Sequence, residues 1–206
     1  MAAVFYSVLR IILLTMRPLK NLPEGYVLVR EIDALKNKHD FNRINLYAFI
    51  VFGAMMLMLI ETPFSIPHLT DTWFDIVLFG ISISVAIVIY MVLHEVVHGI
   101  FICLTSGEKP SFGVKLPYAF AASSMYFDKR SYIIIALAPI VLFGILLCRI
   151  NIIVPAEWFW FVYILQMINL SGSMGDIYVS GVVLRLPPDT LAYDTGTQMR
   201  FYSKQI

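Results

Sequence analysis

Long runs of apolar residues, broken by short charged stretches, dominate the pattern of this chain. A transmembrane helix needs about 20 consecutive residues of predominantly apolar character. Four stretches fit this requirement, and they cover approximately residues 44–62, 76–104, 131–150 and 157–186. The pattern therefore predicts an all-α polytopic membrane protein with four transmembrane helices, in which residues 1–206 form a single membrane-embedded domain.

The segments outside these spans have patterns of their own. Residues 1–20 mix apolar positions with three basic residues, which predicts an amphipathic helix lying on the membrane surface. Residues 21–45 carry many charges and predict a short aqueous segment. Residues 108–130 alternate polar and apolar positions over short stretches, which predicts a β-hairpin or a re-entrant segment. Residues 187–206 predict a polar cytoplasmic tail.

Composition and charge place the chain in a membrane. A hydrophobic content of 59% with only 14% charged residues lies outside the range of ordinary globular domains. Of the 15 lysines and arginines, all but Arg149 fall on the side that would hold both termini and residues 108–130. Because cytoplasmic loops are enriched in these residues, we expect a multi-pass protein of the plasma (cytoplasmic) membrane with both termini in the cytoplasm. A net charge of +1 gives no reason to expect a nucleic-acid partner.

The strongest chemical signal is a His-Glu-x-x-His motif, formed by His94, Glu95 and His98 inside the second predicted span. Two histidines four residues apart share one helix face and can bind one zinc ion, and the glutamate between them is placed to act as general base on a water. Glu95 follows 18 uncharged residues, and a charge at membrane depth costs roughly 2.5–3.5 kcal/mol, so its presence suggests a function. Two core or interfacial histidines with a stray acid are the alternative interpretation.

A catalytic zinc ion takes three protein ligands and keeps one position open, so a third ligand is needed. Asp176 is the acid besides Glu95 that lies deep within a predicted span. It shares its predicted helix face with Asn169, Ser173 and Ser180. Counted from the cytoplasmic ends of their spans, His94 and Asp176 lie at similar depths, roughly 15 and 13 Å along the helices. Asp176 is therefore the predicted third ligand; a buried aspartate that joins two helices, or more remotely His39 as ligand, are the alternatives.

These motifs resemble those of known intramembrane enzymes. The zinc motif followed by Gly99, with an aspartate in a later span, is similar to the site-2 protease family of metalloproteases. A Gly-x-x-Pro-x-Phe-Gly stretch from Gly107 to Gly113, an Ala-Pro pair ending at Pro139 and a Gly-Asp pair ending at Asp176 resemble more closely the small bacterial zincin peptidases related to that family. The prolines that usually surround the site-2 protease aspartate are absent here.

The resemblance covers roughly residues 22–202 and implies a function. It implies a zinc-dependent intramembrane endopeptidase that hydrolyses membrane-spanning or membrane-associated proteins near the cytoplasmic face. The residues that it carries over are the zinc ligands His94, His98 and Asp176 and the general base Glu95. It also implies that the substrate adds as a strand to residues 108–128.

A non-catalytic membrane protein that binds zinc as a scaffold or sensor is the competing interpretation. It would use the same ligands and would give Glu95 no role in proton transfer. An iron-dependent membrane desaturase or hydroxylase would need many more histidines than the 4 in this chain.

Overall fold

The computed structural model describes residues 18–33, 36–61, 72–115 and 118–205. The predicted surface helix over residues 1–20 lies outside these ranges up to residue 17. The helices are α1 (Lys38–Glu61), α2 (Trp73–Ser106), α3 (Lys129–Ile153), α4 (Phe159–Gly172) and α5 (Met174–Arg185), with a 3-10 turn (Ala156–Trp158) before α4. The strands are β1 (Tyr26–Asp33), β2 (Ser111–Lys115), β3 (Tyr118–Ala122), β4 (Tyr126–Asp128), β5 (Leu191–Asp194) and β6 (Gln198–Lys204).

The first three predicted spans correspond to α1, α2 and α3. Among the described residues, α2 and α3 are long and apolar enough to cross a membrane, with mean hydropathies of 2.8 and 2.7. In α2 only 6% of the most apolar window is buried against protein, so its side chains are open to a surrounding phase on most sides.

The fourth predicted span, residues 157–186, is not one continuous helix, so that part of the prediction was wrong. It divides into α4 and α5 at Ser173, whose ψ of 12° leaves the helical range and whose backbone N–H donates to the Asn169 carbonyl oxygen. The sequence at the break is rich in glycine and serine, which have lower helix propensities than alanine or leucine. The break places Asp176 in the first turn of α5, where the helix dipole stabilises a carboxylate.

Residues 108–130 contain the predicted hairpin, since β2 and β3 pair antiparallel from Ser111 opposite Ala122 to Lys115 opposite Tyr118. The all-α fold class was incomplete, because a four-stranded antiparallel sheet in the order β1-β6-β5-β4 is also present. This sheet uses the predicted aqueous segment and the predicted polar tail. Both segments therefore contribute strands to the fold.

The sheet buries one face and exposes the other. Ile32 and Phe201 are almost completely buried, whereas Glu31 and Arg200 oppose each other across β1 and β6 with side-chain atoms 3.7 Å apart. Full burial of a large apolar side chain contributes about 1.5–3 kcal/mol, so this face stabilises the fold. The hydrophobic core consists of Ile32, Ile102, Met125, Phe127, Tyr132, Ile135, Val179, Val183, Ala192 and Phe201.

The chain groups into two compact units. The first consists of Met1–Phe41, Glu95–Ala138 and Asp176–Ile206, and it contains the sheet, the hairpin and the hydrophobic core. The second consists of Asn42–His94 and Pro139–Gly175. It is helical, and within it the Tyr163 hydroxyl donates a hydrogen bond of 2.9 Å to the Met55 carbonyl oxygen. The single membrane-embedded domain over residues 1–206 stays a prediction.

A buried carboxylate in the first unit fixes the start of α1. The Asp40 side chain is fully buried. One guanidinium nitrogen of Arg30 donates to both of its oxygens, at 2.9 and 3.0 Å. The Asn37 amide and the Tyr178 hydroxyl donate to the same carboxylate at 2.8 and 2.6 Å. Because Tyr178 lies two residues after Asp176, this cluster also anchors the first turns of α5.

We expect Asp40→Ala to lower the free energy of unfolding by roughly 3 kcal/mol, since it leaves a partly buried guanidinium and a hydroxyl without their acceptor. The measurement is the thermal unfolding midpoint of the purified protein in detergent. His39→Ala is the matched control, because that neighbouring side chain is 67% exposed. An Asp40→Ala protein that melts at the wild-type temperature would contradict the anchoring role.

Candidate metal centre

The His-Glu-x-x-His motif lies in the second half of α2. His94 and His98 are one helical turn apart and Glu95 is three residues before His98, so all three project from neighbouring positions. His98 is buried, at 9% exposure, and His94 and Glu95 are half-buried. The histidine spacing thus provides two imidazoles on one side of a single rigid element.

Asp176 lies close to these histidines. Its Oδ1 atom is 3.6 Å from Nε2 of His98. One ligand atom from each of His94, His98 and Asp176 lies within 4.8 Å of the others. In a tetrahedral zinc site with bonds of about 2.0–2.2 Å, neighbouring ligand atoms are about 3.3–3.6 Å apart. The three residues could therefore hold a zinc ion after small side-chain adjustments, and two imidazoles with one carboxylate are a ligand set that catalytic zinc uses.

The surroundings of Asp176 differ from the sequence-based prediction. Asn169 lies in the last turn of α4, whereas Asp176 and Ser180 belong to α5, so the predicted polar face is not continuous along one helix. His39, the remote alternative ligand, does not belong to the three-residue group among the described residues. It lies beside Asp40, 3.9 Å from the carboxylate.

A chain of hydrogen bonds orients the ring of His94. The Tyr90 hydroxyl donates to Oδ1 of Asn169 at 2.8 Å and lies 3.1 Å from Nδ1 of His94. The side-chain amide of Asn169 has this orientation, with Oδ1 toward Tyr90, because its Nδ2 atom donates to the Ile140 carbonyl oxygen at 3.3 Å. Since the single hydroxyl proton points to Asn169, the hydroxyl oxygen accepts from Nδ1–H of His94. Nε2 of His94 then holds the lone pair that a metal requires.

Gly99, directly after the motif, lets the hairpin approach α2. A Cβ atom at this position would collide with the Phe112 ring and would lie 3.1 Å from Cγ of Pro110. Gly107 ends α2 with a φ of +70°, a conformation that favours glycine. These contacts give a physical reason for the Gly-x-x-Pro-x-Phe-Gly stretch, which was only a resemblance in the sequence.

Asp194 is an acid that sequence reasoning missed, because it lies in the predicted polar tail. Its carboxylate accepts hydrogen bonds of 2.7 Å from the Tyr132 hydroxyl and from the backbone N–H of Gly196. Burial holds the pKa of Asp194 above its usual value, although these hydrogen bonds and the charge of His98 oppose the rise. Both carboxylate oxygens accept hydrogen bonds, one of which joins β5 to α3, and Asp194 does not belong to the three-residue group found among the described residues.

A His-Glu-x-x-His motif on a helix is the signature of the zincin metallopeptidases. The sequence profile of the family described as "Putative zincin peptidase" matches residues 87–191, just over half of the chain. The chain belongs to this family. No curated protein and no solved structure matches it. The family implies zinc as the metal and peptidase chemistry, and the matched range contains the motif, the hairpin and Asp176.

Proposed function

We propose that this protein is a zinc-dependent intramembrane endopeptidase of the site-2 protease type. It cleaves membrane-spanning or membrane-associated proteins near the cytoplasmic face of the plasma membrane, which it crosses several times with both termini in the cytoplasm. The observation that carries this proposal is that His94, Glu95 and His98 lie on α2, a helix apolar and long enough to cross a bilayer, and that Asp176 of α5 completes the ligand group.

The roles of the site residues follow from their chemistry. The zinc would be held by His94, His98 and Asp176. When bound, it would polarise the scissile carbonyl and lower the pKa of the attacking water. Glu95 takes a proton from the attacking water and delivers it to the leaving amine, so no proton has to come from the lipid phase. Tyr90 keeps the imidazole of His94 in the Nδ1–H tautomer, so that the lone pair of Nε2 is available to the metal.

The hairpin supports a mode of substrate binding. Among the residues that the structure describes, β2 and β3 pair only with each other, which leaves the second edge of each strand for another strand. Phe112 and Val114 on β2 are 55% and 74% exposed. An extended substrate that adds at residues 108–128 would gain main-chain hydrogen bonds, and these apolar side chains would contact its own.

The testing experiment uses the full-length protein in liposomes together with a single-span membrane protein as substrate. Zinc-loaded protein should cleave, the same protein after treatment with a chelator should not, and added zinc should restore cleavage. Metal analysis on the same samples should give about one zinc per chain. The scaffold alternative predicts bound zinc without cleavage of any substrate in a panel of membrane-spanning sequences. Absence of zinc from the wild-type protein, even after incubation with zinc, would overturn both interpretations.

A further inference from the structure

The ring of His98 has a defined partner on each side. Nδ1 lies 2.9 Å from the Ile135 carbonyl oxygen, in a buried contact. A carbonyl oxygen only accepts, so Nδ1 carries a proton in either charge state of the ring. Nε2 is the atom that faces Oδ1 of Asp176 at 3.6 Å. The contact with Ile135 therefore sets which nitrogen of His98 faces the ligand group.

The Ile135 carbonyl is free for this contact because of the residue one turn later. In an α-helix the carbonyl of residue 135 accepts from the N–H of residue 139. Residue 139 is a buried proline inside α3, and proline has no backbone N–H. In a helix that is apolar enough to cross a membrane, a carbonyl without a hydrogen-bond donor is strongly unfavourable. His98 supplies the missing donor.

We propose that Pro139 is a positioning residue for His98. By removing the helical hydrogen bond to the Ile135 carbonyl, it turns that oxygen into a fixed acceptor for Nδ1–H and so directs Nε2 toward the metal. This inference rests on the proposed function in so far as it takes zinc as the metal. It assigns a role to a residue that lies 41 positions along the chain from His98 and is far from any recognisable zinc motif.

The two histidines are oriented by different means. His94 uses the side chains of Tyr90 and Asn169, whereas His98 uses a backbone carbonyl that Pro139 has released. Loss of such outer partners typically weakens metal binding about 10–100-fold. A carbonyl oxygen can accept two hydrogen bonds, so a restored N–H at position 139 competes with His98 without excluding it. The expected weakening of zinc affinity is therefore about tenfold, at the lower end of that range.

The test compares Pro139→Ala and Pro139→Val, two variants that restore the backbone N–H with different side-chain volumes. Full-length protein with ¹⁵N-labelled histidine, free of metal and in detergent micelles, gives the ring Nδ1–H resonances of both histidines. In both variants the His98 resonance should shift and exchange faster with solvent, while that of His94 should not change. Tyr90→Phe is the matched control and should affect His94 alone.

Zinc titration of the same proteins supplies the second readout. Both Pro139 variants should bind zinc about tenfold more weakly than wild type. An unchanged His98 resonance in both variants, or equal changes at His94 and His98, would overturn the positioning role, since the latter indicates a general change in helix shape. Failure of the wild-type protein to bind zinc would instead overturn the proposed function and leave the resonance result standing.

Discussion

Glu95→Gln should abolish measurable cleavage while leaving the zinc content at the wild-type level. Glutamine keeps the size of the side chain and cannot take a proton, and general acid–base catalysis contributes about 10²–10⁴-fold to such reactions. The three candidate ligands, His94, His98 and Asp176, are unchanged in this variant. The measurement is the initial rate of substrate cleavage in liposomes, paired with metal analysis of the purified protein.

Glu157→Gln is the matched control for this prediction. Glu157 lies in the 3-10 turn before α4, outside residues 108–128, and it is exposed. The same chemical change there should leave both cleavage and zinc content unaltered. Cleavage by Glu95→Gln at the wild-type rate would show that the assigned proton transfer is wrong, whereas loss of zinc would show that Glu95 contributes to metal binding.

The sequence predicted well what depends on neighbouring residues along the chain. The apolar run from residue 76 to 104 predicted α2 within three residues at each end, because a long uncharged run has one stable form in lipid. The spacing of His94 and His98 predicted a shared face for the same local reason. The break at Ser173 was missed because hydropathy alone does not register a short stretch of low helix propensity.

The four-stranded sheet could not be predicted from local pattern. β1 and β6 are separated by more than 160 residues, and each strand carries charges that lower its average hydropathy. Their apolar positions, such as Ile32 and Phe201, are buried only once the strands pair. Pairing also brings Glu31 opposite Arg200, so these two charges lie on the outer face of a sheet.

The candidate site shows the same division. Counting residues from the cytoplasmic ends of the predicted spans placed Asp176 at the level of His94. In the described structure one ligand atom of each lies near one of His98. That these residues bind a metal stays a prediction. Tyr90 precedes His94 by one helical turn, so the sequence could suggest that it orients a ligand, with core packing as the alternative. Its hydrogen bond to Asn169 could not be predicted, because the two residues are 79 positions apart. The role of Pro139 could not be predicted either, because it depends on the contact between the Ile135 carbonyl and the His98 ring.

Asp176→Ala should reduce zinc affinity by more than the roughly 10–100-fold expected for loss of an outer partner, because it removes a ligand atom. Asp176→Asn keeps an oxygen at the same place without the charge, so its affinity should fall between those of Asp176→Ala and wild type. Zinc titration by calorimetry or with a competing chelator gives all three values. Cleavage should follow zinc occupancy in this series.

Asp194→Asn is the control that separates the roles of Asp176 and Asp194. The Asp194 carboxylate accepts hydrogen bonds from Tyr132 and Gly196, and the charges of His98 and Asp176 affect its pKa. If Asp176 is the third ligand, Asp194→Asn retains zinc affinity even though its thermal stability falls, because the amide can replace only one of the two accepted hydrogen bonds without strain. Wild-type affinity in Asp176→Ala together with weak binding in Asp194→Asn would assign the third ligand to β5 instead of α5.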